Sequence, residues 1–274
     1  MRAIRCSWFC VVLGWMSFAL PNGLAQQTAP TPSSDGNVLQ LQSQTPKSSG
    51  PAKPGKVGAV FDLTGYWVAV VNEDWRWRMI VPDKGDFSGI PLTIEGRRAA
   101  DMWDAAKDEA AGQQCRSYGA PGLMRLPTRL HITWADDNTL KIETDAGTQT
   151  RLLHFAQAPP AGERTWQGIS VATWEGDAKI PKPGIAPTGP RDLKVETSNL
   201  RAGYLRKNGM PYSENAKLTE YFDLIPKQPN GDEWLIVNSM VEDPIYLTER
   251  FIVSSNFKRE PDGSKWHPAP CSSR

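Results

Sequence analysis

Histidine and cysteine are scarce in this chain, with three and four residues among 274. A structural zinc centre draws its ligands from those types at close spacing, whereas His131, His154 and His267 are scattered. The nucleotide-cradling and hydrolase patterns are missing too: there is no G-x-G-x-x-G after a strand, no P-loop, no H-E-x-x-H and no G-x-S-x-G. Those absences exclude only the families the patterns mark, and no metal or cofactor is expected. Charge of one sign is not in excess, since 31 basic and 30 acidic residues leave a net charge of +1. That balance gives no electrostatic footprint for nucleic acid, so no such partner is expected. Beyond the first 20 positions there is no long apolar run, and therefore no expected membrane span in the mature chain.

What the N-terminus does contain reads as an address. Arg2 and Arg5 precede an apolar run from Cys6 to Leu20, and a short break ends in Gly-Leu-Ala at Ala25. This layout is that of a secretory signal peptide over residues 1–25, which places the protein in the periplasm or medium. Cleavage there removes Cys6 and Cys10 and leaves Cys115 and Cys271 as the remaining pair, expected to be bridged in an oxidising compartment. Residues 26–56 are rich in Pro, Ser, Gln and Gly and cannot bury enough apolar surface to offset their ordering entropy. They read as a disordered linker. A second proline-rich stretch, Ile180–Pro190, reads as a long surface loop.

Residues 57–274 then form a single domain dominated by strands. Alternation of apolar and polar residues predicts strands at 63–71, 75–81, 129–135, 139–144, 148–155, 169–175, 193–198, 218–225, 234–241 and 246–258. Asn230 and Gly231 mark a hairpin turn. The segment 94–111 reads instead as one helix, capped by Thr93 and stopped at Gly112. The expected fold is all-β: a single antiparallel β-barrel or curved sandwich with one covering helix.

Gly65-Tyr66-Trp67 at the start of the first strand resembles the Gly-x-Trp signature that opens lipocalin-type barrels, which implies that Trp67 closes a barrel floor. From about Asp62 to Cys271 the chain also resembles a group of uncharacterised exported bacterial proteins. The matching residues are the aromatic opening, Trp174-Glu175-Gly176-Asp177, Tyr212-Ser213-Glu214, Asp243-Pro244 and Pro270-Cys271. The resemblance implies a shape and no reaction.

Tryptophan is abundant, at eleven residues, and it supplies the candidate ligand contacts Trp75, Trp77 and Trp134. On a strand, Trp75 and Trp77 share one face and Arg76 and Arg78 the other, and burying the arginines is the costlier arrangement. The expectation is tryptophan inside and arginine outside, with Arg78→Ala costing no more than roughly 0.5 kcal/mol. Catalytic candidates are His131 facing Glu143 across a turn, with Tyr204 or Glu214 as acid or base partners. Asp136, Asp137 and Asp145 offer calcium-type oxygens without the EF-hand spacing. Three functions remain open: a binder of an apolar or aromatic small molecule, an envelope hydrolase or isomerase using His131 and Glu143 with Tyr204 or Glu214, and an envelope interaction module.

Overall fold

A computed structural model describes residues 55–155, 157–175 and 192–274. The predicted signal peptide, nearly all of the linker, the 180–190 loop and the Gly176-Asp177 half of its flanking motif lie outside the described residues. Nine strands close into a barrel. They are β1 (Gly65–Val70), β2 (Arg129–Asp136), β3 (Thr139–Thr144), β4 (Thr150–His154), β5 (Ile169–Glu175), β6 (Asp192–Ser198), β9 (Lys217–Ile225), β10 (Trp234–Glu242) and β11 (Phe251–Glu260). Between β6 and β9 the chain makes a separate hairpin of β7 (Gly203–Arg206) and β8 (Met210–Tyr212). The all-β barrel expected from alternation is present, with one departure: β4 and β5 run parallel, Leu153 opposite Ser170.

Closure explains why the predicted strand at 75–81 does not form. β1 is paired with β2 on one edge and β11 on the other, so no edge is left for a hairpin partner. The segment instead makes one helical turn, α1 (Trp75–Arg78), entered through Asp74 at φ 51°. The predicted helix at 94–111 is likewise divided into α2 (Ile94–Asp101) and α3 (Ala105–Ala110). Thr93 caps the first as expected, and Asp104 caps the second by accepting from the Ala106 and Lys107 amides. The break lets Trp103 turn inward onto Gly209, where a β-carbon would stand 2.2 Å from the indole. A 3-10 turn (Gln114–Tyr118) and α4 (Ala120–Leu123) complete the insertion between β1 and β2. The last strand starts at Phe251 rather than 246, because the Asp243 carboxylate accepts from the Ile245 and Tyr246 amides and folds 243–246 into a turn.

Two cores follow from this layout. Inside the barrel, Trp67, Leu130, Ile132, Leu140, Ile142, Leu153, Phe222 and Phe257 are essentially without exposure. Trp67 donates to the Leu63 carbonyl, and the Arg259 guanidinium lies over its ring at 4.1 Å. At the end where β1 and β10 finish and β9 and β11 begin, Leu218, Val241 and Phe251 join Leu92, Ala100, Leu205 and Met210 in a second core. The helices and the β7–β8 hairpin therefore close that end. Between the cores lies a polar layer in which Arg151 and Glu220 form an ion pair at 2.6 Å with no solvent exposure, flanked by Ser170 and Thr197.

On the outer wall, Asp223 lies one position beyond the Leu193–Phe222 pair and meets Asp192, with Glu175 opposite Asp192 on β5. Burial, then the hydrogen bond and the charge of Asp192, push the Asp223 carboxyl up to about 7. The folded state therefore holds a proton that the unfolded chain releases near pH 3.9, so stability falls as pH rises from about 4 to 7. Asp223→Asn should flatten that slope, gaining about 1 kcal/mol near neutrality after discounting for solvent screening. Urea midpoints of both proteins across this range check it; parallel profiles would refute it.

Candidate cationic cleft

The insertion and the hairpin enclose a cleft of about 230 Å³ at the closed end of the barrel. Its charged lining comes from four places far apart in sequence: Arg78 at the end of α1, Arg125 just after α4, Arg206 at the end of β7, and Lys207 in the following turn. Trp77, Met79, Val81, Leu126 and Leu205 supply apolar wall between them. Tyr118 forms another side. It is held there by the C-terminal tail, since the Cys115–Cys271 disulfide fixes the tail beside the 3-10 turn, and Ser272 meets both the Tyr118 hydroxyl and the Lys207 ammonium.

Each arginine is anchored by part of its guanidinium only. Arg78 donates through Nε to the Arg125 carbonyl at 2.8 Å and through Nη1 to Glu73 at 2.5 Å. Arg125 Nη2 reaches Asp74 at 2.9 Å, and Arg206 Nη2 reaches the Ser88 carbonyl at 2.9 Å. Arg206 also lies over the Trp77 ring, whose Nε1 donates to Asp86. What remains is one buried nitrogen on each arginine, Arg78 Nη2, Arg125 Nη1 and Arg206 Nη1, with no hydrogen-bond partner among the described residues. All three side chains belong to residues more than nine-tenths buried. An unpaired buried donor costs roughly 1–3 kcal/mol, more when charged, so three on arginines that line one cleft are unfavourable unless water or another acceptor reaches them.

The electrostatics point the same way. Burial, with Arg125 adding repulsion, brings the Arg206 guanidinium down to about 10, although Asp86 and Asp74 oppose the fall. Arg78 is lowered by burial too, and Arg125 repels it while Glu73 partly compensates. Burial raises the Tyr118 phenol, but bonds to Ser272 and the charge of Lys207 outweigh it and leave the phenol lowered. A negative group in the cleft would relieve these repulsions. The left-handed Asp74, strained for a non-glycine residue, is retained where its carboxylate holds Arg125.

Of the ligand contacts read from the sequence, Trp77 lines this cleft, Trp75 points to solvent beside it, and Trp134 belongs elsewhere. The expected orientation holds for Trp77, half-buried, and Arg76, exposed, but is reversed for the other two: Trp75 is 60% exposed and Arg78 8%. The one helical turn replaces strand alternation, and the Arg125 carbonyl and Glu73 compensate the buried guanidinium. Trp134 sits at the opposite end of the barrel with Phe155, 5.4 Å away, against the barrel core. His131 and Glu143 do face one another, 3.3 Å apart, on the outer wall, with Tyr66 stacked on the imidazole at 4.2 Å. They are not joined by the other catalytic candidates. Tyr204 is on β7 with its hydroxyl on Asp108, and Glu214 is an exposed partner of Arg164.

Asp145 is spent on the Thr128 hydroxyl and the Arg129 and Ala146 amides, and among the described residues no three His, Cys, Asp or Glu side chains are placed to hold a metal. Arg125 and Arg206 went unrecognised in the sequence. Their signal was faint but real, a lone arginine inside Leu-Met-Arg-Leu-Pro and another after Gly-Tyr-Leu, both in apolar company that buries the stem. No protein-family model, no curated protein and no solved structure matches the chain.

Proposed function

We propose that the protein is an exported binding protein whose ligand is a small organic anion with an apolar body, held in the cationic cleft. The single observation that carries this reading is the gathering of Arg78, Arg125, Arg206 and Lys207 around one 230 Å³ space, each of the three arginines keeping one nitrogen without a hydrogen-bond partner among the described residues. Carboxylate, phosphate and sulfonate groups suit guanidinium donors, and Trp77, Met79 and Leu126 suit an aromatic or aliphatic remainder. The interior of the barrel is already occupied by Trp67, Phe222, Phe257 and their neighbours, which favours the closed end over the barrel lumen as the binding place. Export is supported by the Cys115–Cys271 bridge, which persists in oxidising compartments, and by the charged and apolar N-terminus. Among the described residues no helix is long and apolar enough to cross a membrane. An enzymatic reading has less support, because His131 with Glu143, Tyr204 and Glu214 occupy separate parts of the molecule.

Titration with 1-naphthyl phosphate and with uncharged 1-naphthol tests the reading. The phosphate should bind at least about tenfold more tightly, a difference of about 1.4 kcal/mol. Arg206→Gln, which removes one donor, should remove about tenfold of that affinity, since charge-assisted bonds carry about 1.5–3 kcal/mol. Equal binding of the two compounds, or an Arg206→Gln variant that binds the phosphate as the parent does, would overturn it.

A further inference from the structure

The rim of the cleft is unusual for a water-facing surface. Trp75, Met79, Ile80 and Val81 are all exposed, and they account for four of the twelve large hydrophobic side chains exposed among the described residues. Scattered exposed apolar residues need no explanation, but four within seven positions do. Two of them, Met79 and Val81, also line the cleft, so exposed apolar surface adjoins the cleft that the arginines line. Arg76 and Lys84 stand exposed on its flanks.

Resting on the anion-binding reading above, we propose that the ligand is the phosphate headgroup of an anionic phospholipid in a bilayer, and that the Trp75–Val81 segment enters the bilayer interface. A free amphiphile lying in the cleft would cover Met79 and Val81 and leave Trp75 and Ile80 in water. A bilayer covers all four. Tryptophan is the residue best suited to that depth, with its ring among the acyl chains and its N–H among the headgroups. The exposed Arg76 and Lys84 would meet neighbouring anionic lipids, while long stems let them reach the headgroup plane. Glu73 and Asp74 are each tied to an arginine, while Asp86 accepts from the neutral Trp77 indole and keeps its charge near Arg206. Asp74 and Asp83 both stand exposed there; Asp74 is paired with Arg125, and Asp83 works against the attraction.

The test uses the oxidised full chain and sedimentation with vesicles of phosphatidylcholine, with and without phosphatidylglycerol, alongside titration with 1-naphthyl phosphate. Binding should require phosphatidylglycerol. Trp75→Ser and Ile80→Ser, neither of which lines the cleft, should each weaken vesicle binding about tenfold while leaving 1-naphthyl phosphate affinity unchanged. Arg206→Gln should weaken both. If 1-naphthyl phosphate binds and phosphatidylglycerol vesicles do not, the lipid inference falls and the anion cleft stands. If neither binds, both fall. Vesicle binding that survives Arg206→Gln undiminished would also overturn the inference, because the headgroup would then lie outside the cleft.

Discussion

Glu220→Ala is expected to destabilise the fold by about 3–5 kcal/mol, because it strands the Arg151 guanidinium in the barrel without a counter-charge. Neither side chain has any exposure, and Arg151 meets the carboxylate through both terminal nitrogens, at 3.1 and 2.6 Å. Ser170 and Thr197 accept only weakly, at 3.4 and 3.3 Å, and cannot carry the charge by themselves. The penalty belongs to the orphaned ion rather than to the attraction between the partners. Replacing both, Arg151→Met with Glu220→Leu, should therefore return most or all of the stability, since apolar residues of similar volume replace buried pairs at little net cost. Urea unfolding of the two single variants and the double gives the coupling directly. A loss below 1 kcal/mol for Glu220→Ala, or a double variant no better than the single, would mean that water or a bound ion already serves Arg151.

The barrel was legible in the sequence because each of its strands buries one face and solvates the other, so the period of two survives in the residues. β9 illustrates it: Leu218, Glu220 and Phe222 point inward and Lys217, Thr219 and Tyr221 outward. Its central inward position is the charged Glu220, yet alternation on either side is enough to place the strand. The turn at Asn230-Gly231 and the stop at Gly112, with φ of 89° and 66°, were legible for a different reason, since few residues other than glycine adopt that backbone. The closed end of the barrel was not legible. Trp75–Val81 alternates as well as any strand, but pairing depends on a free edge, and β1 has none. β7 and β8 are only four and three residues long, and each is buried throughout, so neither shows a period. The cleft combines residues 78, 125, 206 and 207, which become neighbours only after the barrel, the insertion and the hairpin have formed. The Cys115–Cys271 bridge, by contrast, followed from counting.

Arg78 is where the two descriptions of this protein part most sharply. As the outward residue of a strand it is nearly free to replace; as the last residue of α1 it holds the closed end together. Its Nε bond satisfies the Arg125 carbonyl, its Nη1 pairs with Glu73, and its stem is buried with a side chain only 1% exposed. Arg78→Ala removes the donor from a buried carbonyl and leaves Glu73 without its counter-charge, with only the Asn256 amide still donating to it, which together should cost about 2–3 kcal/mol. The figure stays below that for Glu220→Ala because Glu73 is 30% exposed and can take water. Arg76→Ala, two positions earlier on the exposed side of the same turn, should change stability by no more than about 0.5 kcal/mol. Arg78→Lys should fall between them, as an ammonium keeps the charge but cannot reach both acceptors with a planar fork. The urea midpoint is the measurement, with an unchanged slope showing that the unfolded state is not the cause. If Arg78→Ala and Arg76→Ala unfold together at the parent's midpoint, Arg78 is not anchored as described and the cationic cleft loses its first wall. If Arg78→Ala alone falls, the buried guanidinium is structural, and any further loss of 1-naphthyl phosphate binding in the still-folded variant measures what its remaining nitrogen contributes to the ligand.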